Sequence, residues 1–144
     1  MRPNISQWPA AVFSMRFRVY FEDTDAGGIV YHANYLRFME RARSDWLRSL
    51  GVVHTQLAAS DQIALVVRDA KLEFLYPARL DDELVIDVRL LEVRRASIVT
   101  AQTVILAGTD TPLIATGVIR VAALNRLDGK VAAIPSWLLE KIEQ

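Results

Sequence analysis

Only one stretch of this chain carries a sustained helical stripe, and that stripe limits the possible folds more than any other feature. Tyr35, Phe38, Met39, Ala42 and Trp46 recur at the spacing of one helix face, and Leu36, Leu47 and Leu50 widen it. Asn34 is placed as the N-cap and Gly51 as the residue just past the last turn. Roughly 17 residues at a rise of 1.5 Å give a helix of about 25 Å. An apolar face this broad has to be covered by something. Arg37, Arg41, Arg43 and Arg48, with Glu40 and Asp45, fill the remaining arc and read as a solvated or interface face.

The rest of the pattern is mostly strand. From Met15 to Glu22 the chain alternates, with Met15, Phe17, Val19 and Phe21 on one side and Arg16, Arg18, Tyr20 and Glu22 on the other. Asp23-Thr24-Asp25-Ala26-Gly27-Gly28 then supplies turn-forming residues. A connector over 52–62 holds a short helical turn at Thr55–Ala59, with His54 read as polar surface. Four strands are expected after it, at 63–75, 84–93, 97–106 and 113–124, separated by turns at 76–82, 94–96, 108–112 and 125–130. Pro135 opens a short last helix over 136–142. Residues 1–13, broken by Pro3, Asn4, Ser6 and Pro9, read as a ragged leader in which Trp8 and Phe13 are the anchors.

Short turns between successive strands predict antiparallel neighbours. One long helix against an antiparallel five-stranded sheet is an α+β layer architecture. Several strands are apolar on both faces. One face can cover the helix, and the other then needs a partner, which predicts an oligomer.

At 144 residues the chain fits one domain, residues 1–144, with 52% hydrophobic and 24% charged residues. Lys+Arg and Asp+Glu both number 17, which argues against nucleic acid or membrane held by bulk electrostatics. Cysteine is absent, so disulfides, thiolate catalysis and cysteine metal sites are excluded. Two histidines make a multi-histidine metal site a poor reading, and no metal is expected. No run fits a signal peptide or a spanning helix, so a cytoplasmic protein is expected.

The chemistry concentrates where the turn meets the helix. Asp23 and Asp25 admit three readings. They can simply be turn-makers that cap backbone N–H groups. They can belong to a calcium-type loop, but the position that should carry a bidentate Glu is Asn34. Or one of them serves acyl transfer, as a base or nucleophile toward a carbonyl. Gly27 and Gly28 let backbone approach a ligand closely, and the helix start near His32–Asn34 offers unpaired N–H groups and a positive dipole end to an oxyanion. These parts lie within ten residues, which favours the third reading.

The run Asp23-Thr24-Asp25-Ala26-Gly27-Gly28-Ile29-Val30-Tyr31-His32-Ala33-Asn34-Tyr35 resembles the signature of the hotdog-fold acyl-CoA thioesterases, in their 4-hydroxybenzoyl-CoA thioesterase-like branch and its Tol-Pal-associated subgroup. Phe38-Met39-Glu40-Arg41-Ala42-Arg43 and Tyr76-Pro77-Ala78-Arg79-Leu80-Asp81-Asp82-Glu83-Leu84 are similar to that subgroup more loosely. The resemblance spans about residues 15–135 and implies a hotdog fold, in which the sheet wraps a central helix. It implies that Asp25 is the catalytic carboxylate and that the backbone N–H of His32 polarises the thioester carbonyl. A histidine at that position favours aliphatic or general acyl-CoA over benzoyl-CoA. Gly28, Val30, Tyr31 and Asn34 would lie against the substrate. Arg94, Arg95, Arg126 and Lys130 are candidates for the CoA phosphates. Glu40 is a competing carboxylate, since another hotdog branch places its acid on the helix.

The expected reaction is hydrolysis of short- to medium-chain acyl-CoA, with Asp25 as nucleophile or general base. CoA is part of the substrate and no cofactor is needed. The resemblance implies a site between two subunits, hence a homodimer or a dimer of dimers. It leaves room for acyl carrier protein in place of CoA, and for a peripheral link to envelope or lipid-synthesis proteins. An aromatic acyl-CoA thioesterase, a hotdog dehydratase and a non-catalytic acyl-thioester-binding protein stay open as alternatives.

Overall fold

The computed structural model describes residues 5–109 and 112–144, so the start of the leader and Asp110-Thr111 of one expected turn lie outside the described residues. Five strands and three α-helices follow in the order β1 (Phe13–Arg18), α1 (Asn34–Ser49), α2 (His54–Asp61), β2 (Ile63–Phe74), β3 (Glu83–Val93), β4 (Ser97–Leu106), β5 (Leu113–Asn125) and α3 (Ser136–Glu143). The strands form one antiparallel sheet in the order β1-β3-β4-β5-β2. The sheet buries α1 through Tyr35, Phe38, Met39, Ala42, Trp46 and Leu47. This is the α+β, helix-in-sheet architecture of the hotdog fold.

Successive strands were expected to be neighbours, and β2 and β3 depart from that. They are joined by a short segment, yet β2 pairs with β5 at one edge and β3 lies beside β1 near the other. Residues 75–82 therefore cross over instead of closing a hairpin. On the way the segment pairs with the loop before α1: Val30 N–H donates to Ala78 O (2.9 Å), and Ile29 and Arg79 form an isolated bridge. A hairpin would have left that loop unsupported.

Three boundaries also move. The first strand stops at Arg18 rather than Glu22, because the chain curls into a 3₁₀ turn at Phe21–Asp23. The Asp23 carboxylate takes the Tyr20 N–H (2.9 Å) and the Asp23 N–H reaches Tyr20 O (3.0 Å), which leaves Phe21 82% exposed. Phe13, placed in the leader by the sequence, begins β1 instead. The expected turn at Thr55–Ala59 is a helix over His54–Asp61, ended by Gln62 in the left-handed region.

At the start of α1 the N-cap is Ala33, not Asn34. Asn34 is already helical and buried, and its Nδ2 donates to Asp23 O (2.8 Å), so it ties the helix to the loop. At the other end Gly51 follows the C-cap as expected: Gly51 N–H reaches Arg48 O (2.9 Å) and Val52 N–H reaches Leu47 O (2.9 Å).

The helix is fixed to the sheet at Met39. Gln102 on β4 stands opposite Gly117 on β5. Its Nε2 donates to Met39 O on α1 (3.0 Å) and to Asp87 O on β3 (3.2 Å), and its Oε1 accepts from Arg43 (2.9 Å). Arg43 was expected on the solvated arc of the helix. It is instead only 7% exposed, because Gln102 offers its guanidinium a partner. At the first turns Phe17 of β1 stacks on Phe38 at 5.3 Å, holding α1 against the opposite edge of the sheet.

Candidate active site

The loop from Asp23 to Tyr31 folds back on itself and delivers the chain to the helix. Thr24 and Val30 pair across it, and Asp25 N–H donates to Ile29 O (2.8 Å). Gly28 sits at φ +76°, a conformation other residues rarely adopt, and its N–H closes the turn on Asp25 O (3.1 Å). The two aspartates divide their work. Asp23 is structural: its carboxylate caps Tyr20, and its carbonyl holds both Tyr31 N–H and the Asn34 side chain. Asp25 is exposed, and only its Oδ1 is engaged, by Gly27 N–H (2.8 Å). Among the described residues its Oδ2 has no hydrogen-bond partner.

The helix start supplies the opposite polarity. Asn34 N–H and Tyr35 N–H turn back onto Tyr31 O and His32 O. Among the described residues the N–H groups of His32 and Ala33 donate to no backbone carbonyl. These are the orphan donors of a helix N-terminus, where the dipole favours negative charge. An oxyanion there meets preorganised N–H groups, and a carboxylate with one free oxygen stands on the adjoining loop.

A cleft of about 270 Å³ opens beside these donors. Ile29, Val30, His32, Tyr35, Phe74, Tyr76 and Pro77 line it. The His32 ring meets the Phe74 ring edge-on at 5.9 Å and Tyr31 at 4.6 Å, so the side chain is part of an aromatic wall. Tyr35 carries that wall into the core at 5.7 Å from Phe74. Burial raises the Tyr35 hydroxyl above its usual range, against the pull of a hydrogen bond with the Ala78 backbone, and the nearby Asp82 charge adds to the rise. Phe74 and Tyr76 remain half exposed, as does Tyr31.

Of the residues singled out in the sequence, Asp25, Gly28, Val30, Tyr31, His32 and Asn34 share this junction. Val30 is buried with its N–H spent on Ala78, and Asn34 supports the loop, so both serve as frame. Glu40 lies elsewhere, at the mouth of a larger cavity of about 350 Å³ between α1 and β2. Among the described residues Glu40 has no cation within 4.0 Å.

Arg94, Arg95, Arg126 and Lys130 do not join the site within one chain. In an antiparallel sheet the turns alternate between the two ends. The 94–96 and 125–130 turns lie at the end where Ile63 pairs with Asn125, whereas the cleft lies where Phe74 pairs with Ala115. Eleven residues of β2 separate the two ends, about 35 Å at 3.3 Å per residue. Arg94 is held by Glu92. A basic side chain that does stand at the cleft end is Arg79, whose backbone bridges Ile29 and whose side chain has no acid within 4.0 Å among the described residues. Local patterning places Arg79 in a turn; its crossover position depends on strand order, which such patterning does not carry.

Comparison with known proteins agrees with this fold. The family model described as Thioesterase-like superfamily matches residues 19–142. The chain is 38% identical over 123 residues to the acyl-CoA thioesterase YbgC of Haemophilus influenzae, covering 85% of this chain and 88% of that one. It is 36% identical over 144 residues to the acyl-CoA thioester hydrolase YbgC of Escherichia coli, covering all of both chains. The fold is similar to a 4-hydroxybenzoyl-CoA thioesterase variant solved with 4-hydroxybenzoyl-CoA, at a TM-score of 0.81 and 25% identity, covering 89% of this chain and 96% of that one.

Proposed function

The chain belongs to the Thioesterase-like superfamily, and from that premise we propose that it hydrolyses acyl-CoA thioesters to a free acid and CoA. The observation that carries the reading is the pairing of unclaimed N–H groups at His32 and Ala33 with the free Oδ2 of Asp25 on the adjoining loop. The thioester carbonyl oxygen rests at those N–H groups. Asp25 Oδ2 then acts in one of two ways. It attacks the carbonyl carbon, expels the CoA thiolate and leaves an acyl-aspartyl anhydride that water opens. Or it takes a proton from a water that attacks the carbon itself, and the thiolate leaves as the tetrahedral intermediate collapses. Neither route calls for a cofactor.

Measuring free thiol released from acyl-CoAs of graded length, from 4-hydroxybenzoyl-CoA and from an acyl carrier protein thioester tests the reading. Hydrolysis of short- to medium-chain acyl-CoA is expected. Conversion to an enoyl thioester without thiol release, or binding without turnover across the whole panel, would overturn it. Undiminished hydrolysis in Asp25→Asn would remove Asp25 from the mechanism, and a selective loss in Glu40→Gln would move the acid onto the helix.

We further infer a homodimer, itself doubled into a dimer of dimers, that covers the half-exposed Tyr31, Phe74 and Tyr76 around the cleft. A second copy could bring the distant Arg94, Arg95, Arg126 and Lys130 to bear on CoA phosphates. Light scattering reads the assembly directly. A cytoplasmic location with a peripheral link to envelope or lipid-synthesis proteins completes the reading; among the described residues no helix is long and apolar enough to cross a membrane. Cell fractionation with crosslinking tests it.

A further inference from the structure

The larger cavity, about 350 Å³, shares no lining residue with the cleft at His32. Its walls are apolar, with Leu36, Trp46, Leu65, Ile98 and Ile119 among them. Its polar groups are graded by depth. Arg37 and Glu40 are exposed at the mouth, where solvent screens them and their charges offset. Arg43 lies deep, 93% out of solvent by its 7% exposure. His54 and Ser44, 3.3 Å apart, form part of the side wall.

Arg43 is the unusual group. A guanidinium carries five N–H donors, and a buried one is normally matched by a carboxylate. Here it has a single hydrogen bond, to Gln102 Oε1, and no acid within 4.0 Å among the described residues. Gln102 has nothing more to give, since its amide is committed to Met39 O and Asp87 O. Burial pulls the Arg43 pKa down to about 10, with Glu40 working the other way. Close by, on the β4 face that carries Ile98 and Gln102, the Thr100 hydroxyl is fully buried without a partner among the described residues, and Thr100 pairs directly with Ile119 of the cavity wall. At the deep end the Arg43 donors therefore outnumber the acceptors that meet them.

We propose that this cavity receives acyl chains whose far end carries a carboxylate, with Arg43 as the residue that selects them. The inference rests on the thioesterase reading and names its substrate class. Apolar walls take the methylene chain, and the planar guanidinium fork is the side chain best matched to a terminal carboxylate. Helix geometry sets the length. Met39, whose carbonyl shares Gln102 with Arg43, lies about 10 Å along α1 from His32. That span suits a medium chain with its thioester at the helix start and its far end at Arg43.

The test compares kcat/KM for adipoyl-CoA, 6-hydroxyhexanoyl-CoA and hexanoyl-CoA, which differ only at the far end. The full-length wild type is expected to prefer adipoyl over hexanoyl by about tenfold or more, the worth of a charge-assisted hydrogen bond, with the hydroxyl between them. In Arg43→Met the adipoyl-to-hexanoyl ratio falls to about one, and Arg43→Lys, which keeps the charge without the fork, recovers only part of it. Equal rates for adipoyl and hexanoyl in the wild type, or an unchanged ratio in both variants, would overturn the proposal while leaving the thioesterase reading intact. If none of the three is hydrolysed, the thioesterase reading fails instead. Calorimetric titration with free adipate and hexanoate then decides the pocket: adipate binding lost in Arg43→Met upholds it, and no adipate binding to the wild type ends it.

Discussion

Gly117 lies directly under Met39: a β-carbon added to Gly117 would fall 2.6 Å from Met39 Sδ and 3.1 Å from its Cε. The closest approach of helix and sheet is thus set by the absence of a side chain on β5. Met39 is fully buried, so it has little room to retreat. Gly117→Ala is expected to cost about 1–2 kcal/mol, towards the lower end of overpacking because methionine adapts its shape. Urea unfolding measures the loss. Pairing it with Met39→Val should cost less than the sum of the two single changes, because the shortened side chain vacates the contested space.

Asp25→Asn leaves the Gly27 N–H acceptor in place and removes the charge from an exposed side chain. The expected result is a fall in thioester hydrolysis of about a hundredfold or more, the usual reach of a positioned acid or base. The melting temperature should stay near that of the wild type. Asp23→Asn is the contrast, since Asp23 holds the 3₁₀ turn at Tyr20; thermal melting should register that change.

Gln102→Leu breaks three hydrogen bonds in the buried face at once. It leaves the Arg43 guanidinium and two backbone carbonyls short of a partner in a closed space. The expected cost is about 2–4 kcal/mol in chemical denaturation. Adding Arg43→Met to Gln102→Leu should recover part of it, because the orphaned charge is gone.

Tyr35 gives a pH signature. Its hydroxyl is held above the usual value of 10.0, chiefly by burial, so the unfolded chain releases this proton before the folded one does. Its contribution is therefore present below pH 10 and is lost as pH rises beyond that. Tyr35→Phe removes the titrating group, so its stability relative to the wild type is expected to rise as pH passes above 10. Denaturation curves of both proteins at stepped pH will show whether it does.

How much of this was legible beforehand depended on range. The helix face from Tyr35 to Trp46 and the four later strands follow local periodicity, and each stands where the pattern put it. The loop–helix junction was legible for the same reason: Asp25, Gly28, His32 and Asn34 are neighbours in sequence, so their proximity needs no tertiary information. What escaped was non-local. Strand order decides that residues 75–82 brace the loop and that Arg94, Arg95, Arg126 and Lys130 face the other end of the sheet. Arg43 looked like another surface arginine because its partner, Gln102, is 59 residues away. The Phe21 turn was misread because alternation continued in the letters after Asp23 had already bent the backbone.

The placement of β5 between β4 and β2 also has a consequence for synthesis. Among the described residues β2 has one strand partner, β5, and β5 leaves the ribosome only after β3 and β4 have followed β2. Until then the nascent chain carries β2 as an open strip of Val and Leu, and the free side of β4 as another, each able to zip onto a neighbouring polypeptide. Because β5 joins both in one step, this chain should reach its final state late and all at once, and crowded expression should penalise it more than a protein of hairpins that close as they emerge.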